Sequence, residues 1–408
     1  MSGTAAISSI AIIPQGARLH SVSPGHGQAL QRIAQVVRPD LVFVDRGEDL
    51  GPDDFVLVGG PRLFGDVRDA RARGFGQTAL LFPEAVTSYY DSWSFPLELI
   101  HRSGAGRMTV ALPDFERFVM GLSGLFGRFE NGIYCHELSR YQAFDRVSNP
   151  DKESRLAECL ALLADRQSQV SLLAVLKSER IELWRYWLSN LFNGSEYFDV
   201  LNIREGDIVM NAGVHGGGEI PHFLARIGDT GRVVNIDPLG DAYLGDFVKT
   251  AVLAFAGRCD FVAAALHDED GALDLPVGAS GMAAGGRIGE KIPGLATCNF
   301  AGRSIDSIAA ELDLPHVDLI KMDIEGAEPR ALAGSLSTIK RFRPQLAISI
   351  YHEPDHFLDI PRFLGASLEN YRFYVRNYHF ISNETILYAV PGERSPAHEC
   401  HGLHIEMV

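Results

Sequence analysis

Short apolar runs and longer helical-period stretches alternate along the chain, and the change between the two patterns divides it. In the first 120 residues, Leu41 to Val44, Phe55 to Val58, Thr78 to Phe82 and Met108 to Leu112 are apolar runs of strand length. Gly27 to Val37 and Asp66 to Arg73 carry helical spacing between them. Strand and helix in alternation predict a small parallel α/β layer domain. Gly59-Gly60-Pro61, after one of these runs, is a turn signal that would also suit a ligand contact.

From Phe115 to about Phe198 the apolar positions recur at three and four: Leu156, Leu160 and Leu163, then Leu172 and Leu176, then Ile181, Leu183, Trp184, Trp187 and Leu188. That spacing predicts a helical connector, with the Trp184 and Trp187 pair serving as core. Beyond Ile203 strands return at Ile208 to Ala212, Val233 to Asp237, Phe261 to Ala264, Leu319 to Asp323 and Gln345 to Tyr351. Helices are expected between them at Ile220 to Arg226, Phe247 to Phe255, Ile305 to Leu312 and Pro329 to Ile339. Arg372 to Tyr378 and Glu384 to Val390 have no helix between them and predict an antiparallel hairpin. The expected organisation is an α/β domain over 1–120, a helical connector over 121–198 and a second, larger α/β domain over 199–408.

Composition narrows the functions these domains can carry. A net charge of −15 disfavours nucleic acid as a partner, because affinity for phosphate backbones rests on Lys and Arg. No apolar run is long enough to span a membrane and Met1 to Ile13 lacks a basic signal region, so a cytoplasmic protein with no membrane partner is expected. Cys135, Cys159, Cys259, Cys298 and Cys400 are scattered and odd in number, which fits reduced thiols. The tail residues His398, Cys400, His401 and His404 are of metal-ligating type, yet short tails of this kind usually lie in solvent.

The chemistry concentrates at the ends of the carboxy-terminal strands. Ile208 to Ala212 runs into Gly213-Val214-His215-Gly216-Gly217-Gly218, the glycine turn that lets a cofactor approach bare backbone. Val233 to Asp237 ends on an acid suited to accepting ribose hydroxyls. Together these features indicate an adenosine cofactor without saying which one. Asp318-Leu319-Ile320-Lys321-Met322-Asp323-Ile324-Glu325-Gly326-Ala327-Glu328 then puts three carboxylates just past an apolar strand, at the edge where α/β ligands bind. Glu328 suits a helix amino terminus, while Asp323 and Glu325 are candidates for contact with cofactor, acceptor or a cation.

That segment, with Arg303 to Ile308 before it and Phe342 to His352 after it, resembles the FkbM family of methyltransferases, and the closing hairpin is similar too. The resemblance covers roughly the last half of the chain. It implies a Rossmann-like class I fold with a seven-stranded sheet ending in an antiparallel hairpin, S-adenosylmethionine as donor, and O-methylation of a sugar, polyketide or similar small acceptor. Carried over, Gly213 and Gly217 match the cofactor loop and Asp237 the ribose acid, with Asn211 and His215 also facing the donor. Asn211 stands where the family usually has Asp, and Val214-His215 where it usually has Ala-Asn.

An alcohol acceptor needs a base or a metal. His352, directly after a strand and at the same sheet edge as Asp323, is the first candidate base, and His215 the second. Asp323, Glu325 and His352 are alternatively a candidate Mg²⁺ set. The competing readings are a catalytically degenerate donor- or nucleotide-binding module and a nicotinamide oxidoreductase. The amino-terminal domain is open to three roles: shaping the acceptor pocket, building a homo-oligomer, or structure alone. Gly278 to Cys298, rich in Gly and Ala, is expected as a lid.

Overall fold

The computed structural model describes residues 151–176, 196–198, 200–255, 257–277, 294–378 and 384–396, the short pieces 288–289 and 291, strand 404–407, and mainly strand segments between 7 and 147. Gly59 to Pro61, the Asp66 to Arg73 helix, Trp184, Trp187, most of Gly278 to Cys298 and the tail residues His398 to His401 lie outside the described residues, as does most of Gly27 to Val37.

The amino-terminal strands are β1 (Ile7–Ser9), β2 (Arg18–Ser21), β3 (Val42–Phe43), β4 (Phe55–Val58) and β5 (Gln77–Leu80). They form a five-stranded sheet in the order β1-β5-β4-β2-β3, parallel throughout. The parallel layer matches the alternation in the sequence; β1 and β2, too short and polar to stand out, were not expected. Next, β6 (Arg107–Val110) is followed by the antiparallel hairpin β7 (Gly127–Glu130) and β8 (Ile133–His136). This hairpin corrects the expectation of unbroken helix from Phe115: Asn131-Gly132 between the strands is a two-residue hairpin signal that outweighs the loose apolar spacing around it.

Helices α1 (Lys152–Leu162) and α2 (Arg166–Leu176) form over the leucine spacing seen in the sequence. They are not a free connector. Arg155 reaches Asp359 at 2.5 Å and Asp355 at 3.2 Å, Arg376 grips Asp165 at 2.8 Å, and the Ala164 amide donates to the Phe373 carbonyl. Leu156, Cys159, Leu172 and Leu176 join the core of the larger sheet.

That sheet follows through β9 (Ile208–Ala212), α3 (Ile220–Ile227), β10 (Arg232–Asp237), α4 (Asp246–Ala254), β11 (Cys259–Ala263), β12 (Ala265–Leu266), β13 (Gly271–Val277), β14 (Ala296–Arg303), α5 (Ile305–Glu311), β15 (Leu319–Met322), α6 (Glu328–Ala333), α7 (Leu336–Phe342), β16 (Gln345–Ser349), α8 (His356–Ser367), β17 (Tyr371–Asn377) and β18 (Thr385–Pro391). Seven of these strands align as β11-β10-β9-β15-β16-β18-β17. All are parallel except β18, which runs against both its neighbours. Every residue of β9, β15 and β16 is buried, the mark of strands covered on both faces. Alternate residues feed opposite layers: Ile208, Met210 and Ala212 pack with α1, α2 and α8, while Val209 packs with Phe223 and Leu224 of α3.

A three-stranded accessory sheet, β12-β14-β13, stands beside the carboxyl end of β10 and was not expected. Its β13–β14 hairpin is largely exposed, so no apolar periodicity announces it. Strand β19 (His404–Met407) pairs in parallel with β6, which takes His404 into a sheet. Among the described residues, no helix is long and apolar enough to cross a membrane.

Candidate active site

The order of the large sheet reverses at β9: β10 and β11 lie on one side, β15 and β16 on the other. A crevice opens outside the carboxyl ends of such strands, where the crossovers depart in opposite directions. A cavity of about 900 Å³ lies there, lined by the glycine turn, Asp237 to Gly240, Ala264 to His267, Leu275, Ile288 and the Asp323 to Ala327 segment.

The glycine turn is shaped by close approach. Gly213 has φ +76°, and a Cβ there would sit 1.7 Å from the backbone oxygen of Asp323. Gly217 has φ +73°, and a Cβ would lie 2.6 Å from Leu244. Gly216 and Gly218 have open space instead, so two of the four glycines hold the turn. His215 occupies the same left-handed region at φ 47° and lines the cavity. Asp237 accepts from the amides of Val214 (3.1 Å), His215 (3.3 Å) and Leu239 (2.9 Å). A carboxylate offers about four lone-pair directions, so one remains for a ligand hydroxyl.

Asn211 does not reach the cavity wall. Fully buried, its Nδ2 donates to Glu219 Oε1 at 3.0 Å and to Asn235 Oδ1 at 2.9 Å, and its Oδ1 has no hydrogen-bond partner.

Asp323 is the hub of the site. Tyr197 and Tyr351 each donate a hydroxyl to it, at 2.9 and 3.1 Å, and His352 Nε2 lies 3.4 Å away. Burial works to raise its pKa, but Lys321, His352 and the Tyr197 hydroxyl outweigh burial and hold the carboxyl below the usual range. Burial pushes both tyrosines well above the ordinary phenol value, so they stay neutral donors.

His352 is 3% exposed and does not line the cavity. Its Nδ1 is 2.9 Å from Glu328 Oε1, and its Nε2 is 3.7 Å from Glu325. Burial opposes its charge, yet Glu328 overcomes this and raises it to about 9. Glu328, fully buried, also accepts the Ile324 amide at 2.9 Å, so it does more than face a helix dipole. Glu325 lines the cavity from a left-handed backbone at φ 56°.

The candidate Mg²⁺ set fits poorly. Mg²⁺ prefers oxygen donors, and His352 beside Asp323 and Glu325 offers a nitrogen in their place. The tight cluster contains Glu328 in place of Glu325.

Several site residues went unread in the sequence. Glu196 and Glu384 bring carboxyl oxygens within 4.8 Å of one another and of Asp323. Burial pushes Glu196 up to about 7 and Glu384 well above the usual carboxylate range. Lys321, 2% exposed, donates to the Gly213 carbonyl at 2.6 Å and stands over the Tyr197 ring. A lysine inside the apolar run Leu319 to Met322 was the available signal for it. Glu196, Tyr197 and Glu384 had none.

The reversed β18, the glycine turn after β9 and the acid ending β10 define a class I S-adenosylmethionine-dependent methyltransferase domain. Residues 207–375 match the family model described as the methyltransferase FkbM domain. Among solved structures, methyltransferase FkbM from Methylobacillus flagellatus KT is similar at 18% identity, covering 93% of this chain and 92% of that one, with a TM-score of 0.43. Aeropyrum pernix fibrillarin with natively bound S-adenosyl-L-methionine follows at 13% identity over 47% of this chain and 69% of that one, TM-score 0.28. The Methanococcus jannaschii fibrillarin pre-rRNA processing protein is similar at 13% over 49% and 71%, TM-score 0.28. Comparison with curated protein sequences returns no match.

Proposed function

We propose that the chain methylates a hydroxyl oxygen of a small acceptor such as a sugar or polyketide, with Asp323 taking the proton. The observation that carries this is a carboxylate on the cavity wall, fixed by two phenolic hydroxyls and with His352 Nε2 3.4 Å behind it.

The site fits the donor. Gly213 and Gly217 leave backbone bare where it must approach, Asp237 retains an acceptor direction for a ribose hydroxyl, and Pro238, Leu239, Ala264, Leu266 and Leu275 give an apolar wall for a base. S-adenosylmethionine, when bound, supplies an electrophilic methyl on a sulfonium. The protein's part is alignment, which is worth on the order of 7 to 11 kcal/mol in favourable cases, and removal of a proton.

An alcohol oxygen loses its proton as it gains the methyl and becomes positively charged, so a carboxylate of low basicity suffices. His352 keeps its own proton at neutral pH and in this reading orients Asp323 rather than acting as the base. His215 lies on the loop side of the cavity, as a donor contact. The charge of −15 supports a small acceptor over a nucleic acid.

Incubation with S-adenosylmethionine and a panel of sugar and polyketide alcohols, followed by measuring S-adenosylhomocysteine, tests this. Asp323→Asn is expected to lower kcat about 100-fold while S-adenosylhomocysteine affinity stays within about threefold. Full turnover in that variant would remove Asp323 as the base. Donor binding with no turnover across the panel would favour a binding module.

A further inference from the structure

Lys321 is a cation in the middle of the sheet, 2% exposed, and a buried charge stands only if paired. Its register neighbour on β9 is Asn211, which has no charge to give. Glu219 lies 3.7 Å from Lys321 Nζ and is the carboxylate, among the described residues, within ion-pair distance of it. The same Glu219 oxygen accepts from Asn211 Nδ2 at 3.0 Å.

Glu219 immediately precedes α3, where an acidic side chain would ordinarily cap the first amides or face solvent. It does neither: its side chain makes no capping bond and is 15% exposed. Asn211 spends both amide hydrogens inward, on Glu219 and Asn235, which makes Asn211 and Glu219 one hydrogen-bonded unit. At the other end of the chain of contacts, Lys321 Nζ donates to the Gly213 carbonyl. Gly213 is the residue whose backbone meets Asp323 and opens the cavity.

We propose that Glu219 is a positioning residue for the donor: it supplies, from the head of α3, the counter-charge to Lys321 that position 211 lacks, and through Lys321 it holds the glycine turn in its binding shape. This rests on the donor-binding reading of the cavity. Asp323 also feels the Lys321 charge but lies beyond ion-pair distance of its Nζ, so it does not replace Glu219 in this task.

The test is calorimetric titration of the full chain with S-adenosylhomocysteine in four forms: wild type, Glu219→Gln, Lys321→Met, and the double variant. Wild type that binds nothing sinks the donor reading itself. With wild type binding, Glu219→Gln is expected to weaken affinity at least about tenfold, as when one partner of a largely buried ion pair loses its charge. The double variant is expected to bind within about threefold of Lys321→Met, since with no cation to balance the carboxylate has no task. Should Glu219→Gln fail to fold, the double variant decides, because removing both charges leaves neither unpaired. Near-wild-type affinity in Glu219→Gln overturns the proposal. So do losses that simply multiply in the double variant, and so does a double variant that does not fold.

Discussion

Replacing Gly213 by Ala isolates the backbone approach on which the site depends. The added Cβ would meet the Asp323 carbonyl oxygen at 1.7 Å, where ordinary contact begins near 3.4 Å, so the turn and the end of β15 must part by about 1.7 Å. The φ of +76° adds roughly 1–2 kcal/mol for an L residue, and the forced separation roughly 1–3 kcal/mol more. A total of about 2–5 kcal/mol lowers the melting temperature by roughly 5–15 °C for a domain of this size. Misplacement by about 1 Å costs on the order of 100-fold in rate, so donor binding and turnover should fall together. Gly216→Ala is the control, since a Cβ there meets nothing within 4 Å and φ is not positive. Thermal melting and S-adenosylhomocysteine calorimetry on both variants measure the difference. A Gly213→Ala protein that melts and binds like Gly216→Ala would refute the reasoning.

The pH dependence of stability should carry the signature of His352, whose pKa is raised to about 9. A raised folded pKa contributes stability fully present below about pH 6.5 and lost as pH climbs through about 9, here of the order of 3 kcal/mol. Denaturation midpoints of His352→Asn should therefore approach those of wild type across that window; parallel curves would contradict the pairing with Glu328. Burial pushes the Glu384 carboxyl well above the usual range, so Glu384→Gln, which carries no charge to bury, should raise the melting temperature at pH 8 by a few degrees. A lower melting temperature would mean that the carboxylate form is the one the fold uses. Arg155→Met removes the cation that joins α1 to Asp359 of α8 and to Asp355 just before it, while Asp359 keeps Arg362 at 3.8 Å. A loss of about 1–3 kcal/mol in chemical denaturation is expected, and no change would separate α1 from the domain.

Much of the large sheet was legible because its central strands are covered on both faces and appear as continuous apolar runs bounded by Gly, Asp and Pro. The glycine turn, Asp237, Asp323 and His352 were legible for the same reason: they stand where those runs end. The β13–β14 hairpin was not, since strand pairing holds it with little burial and leaves no alternation. Nor was the charge state of His352, which depends on Glu328 across a tertiary contact of 2.9 Å. Glu196 and Tyr197 come from a stretch with no repeating pattern, and only the folded chain brings them to Asp323. The polar exchange at Asn211 reads in the sequence as a lost charge, and nothing there points to Glu219, which the fold brings to 3.0 Å from its Nδ2.

A crystal structure of the full chain soaked with S-adenosylhomocysteine measures the central claim most directly. The ribose hydroxyls should lie on Asp237, the chain at Gly213 should face the amino-acid end, and the sulfur should point toward Asp323. Density for the ligand outside this cavity, or a ribose turned away from Asp237 with the sulfur remote from Asp323, would contradict the account.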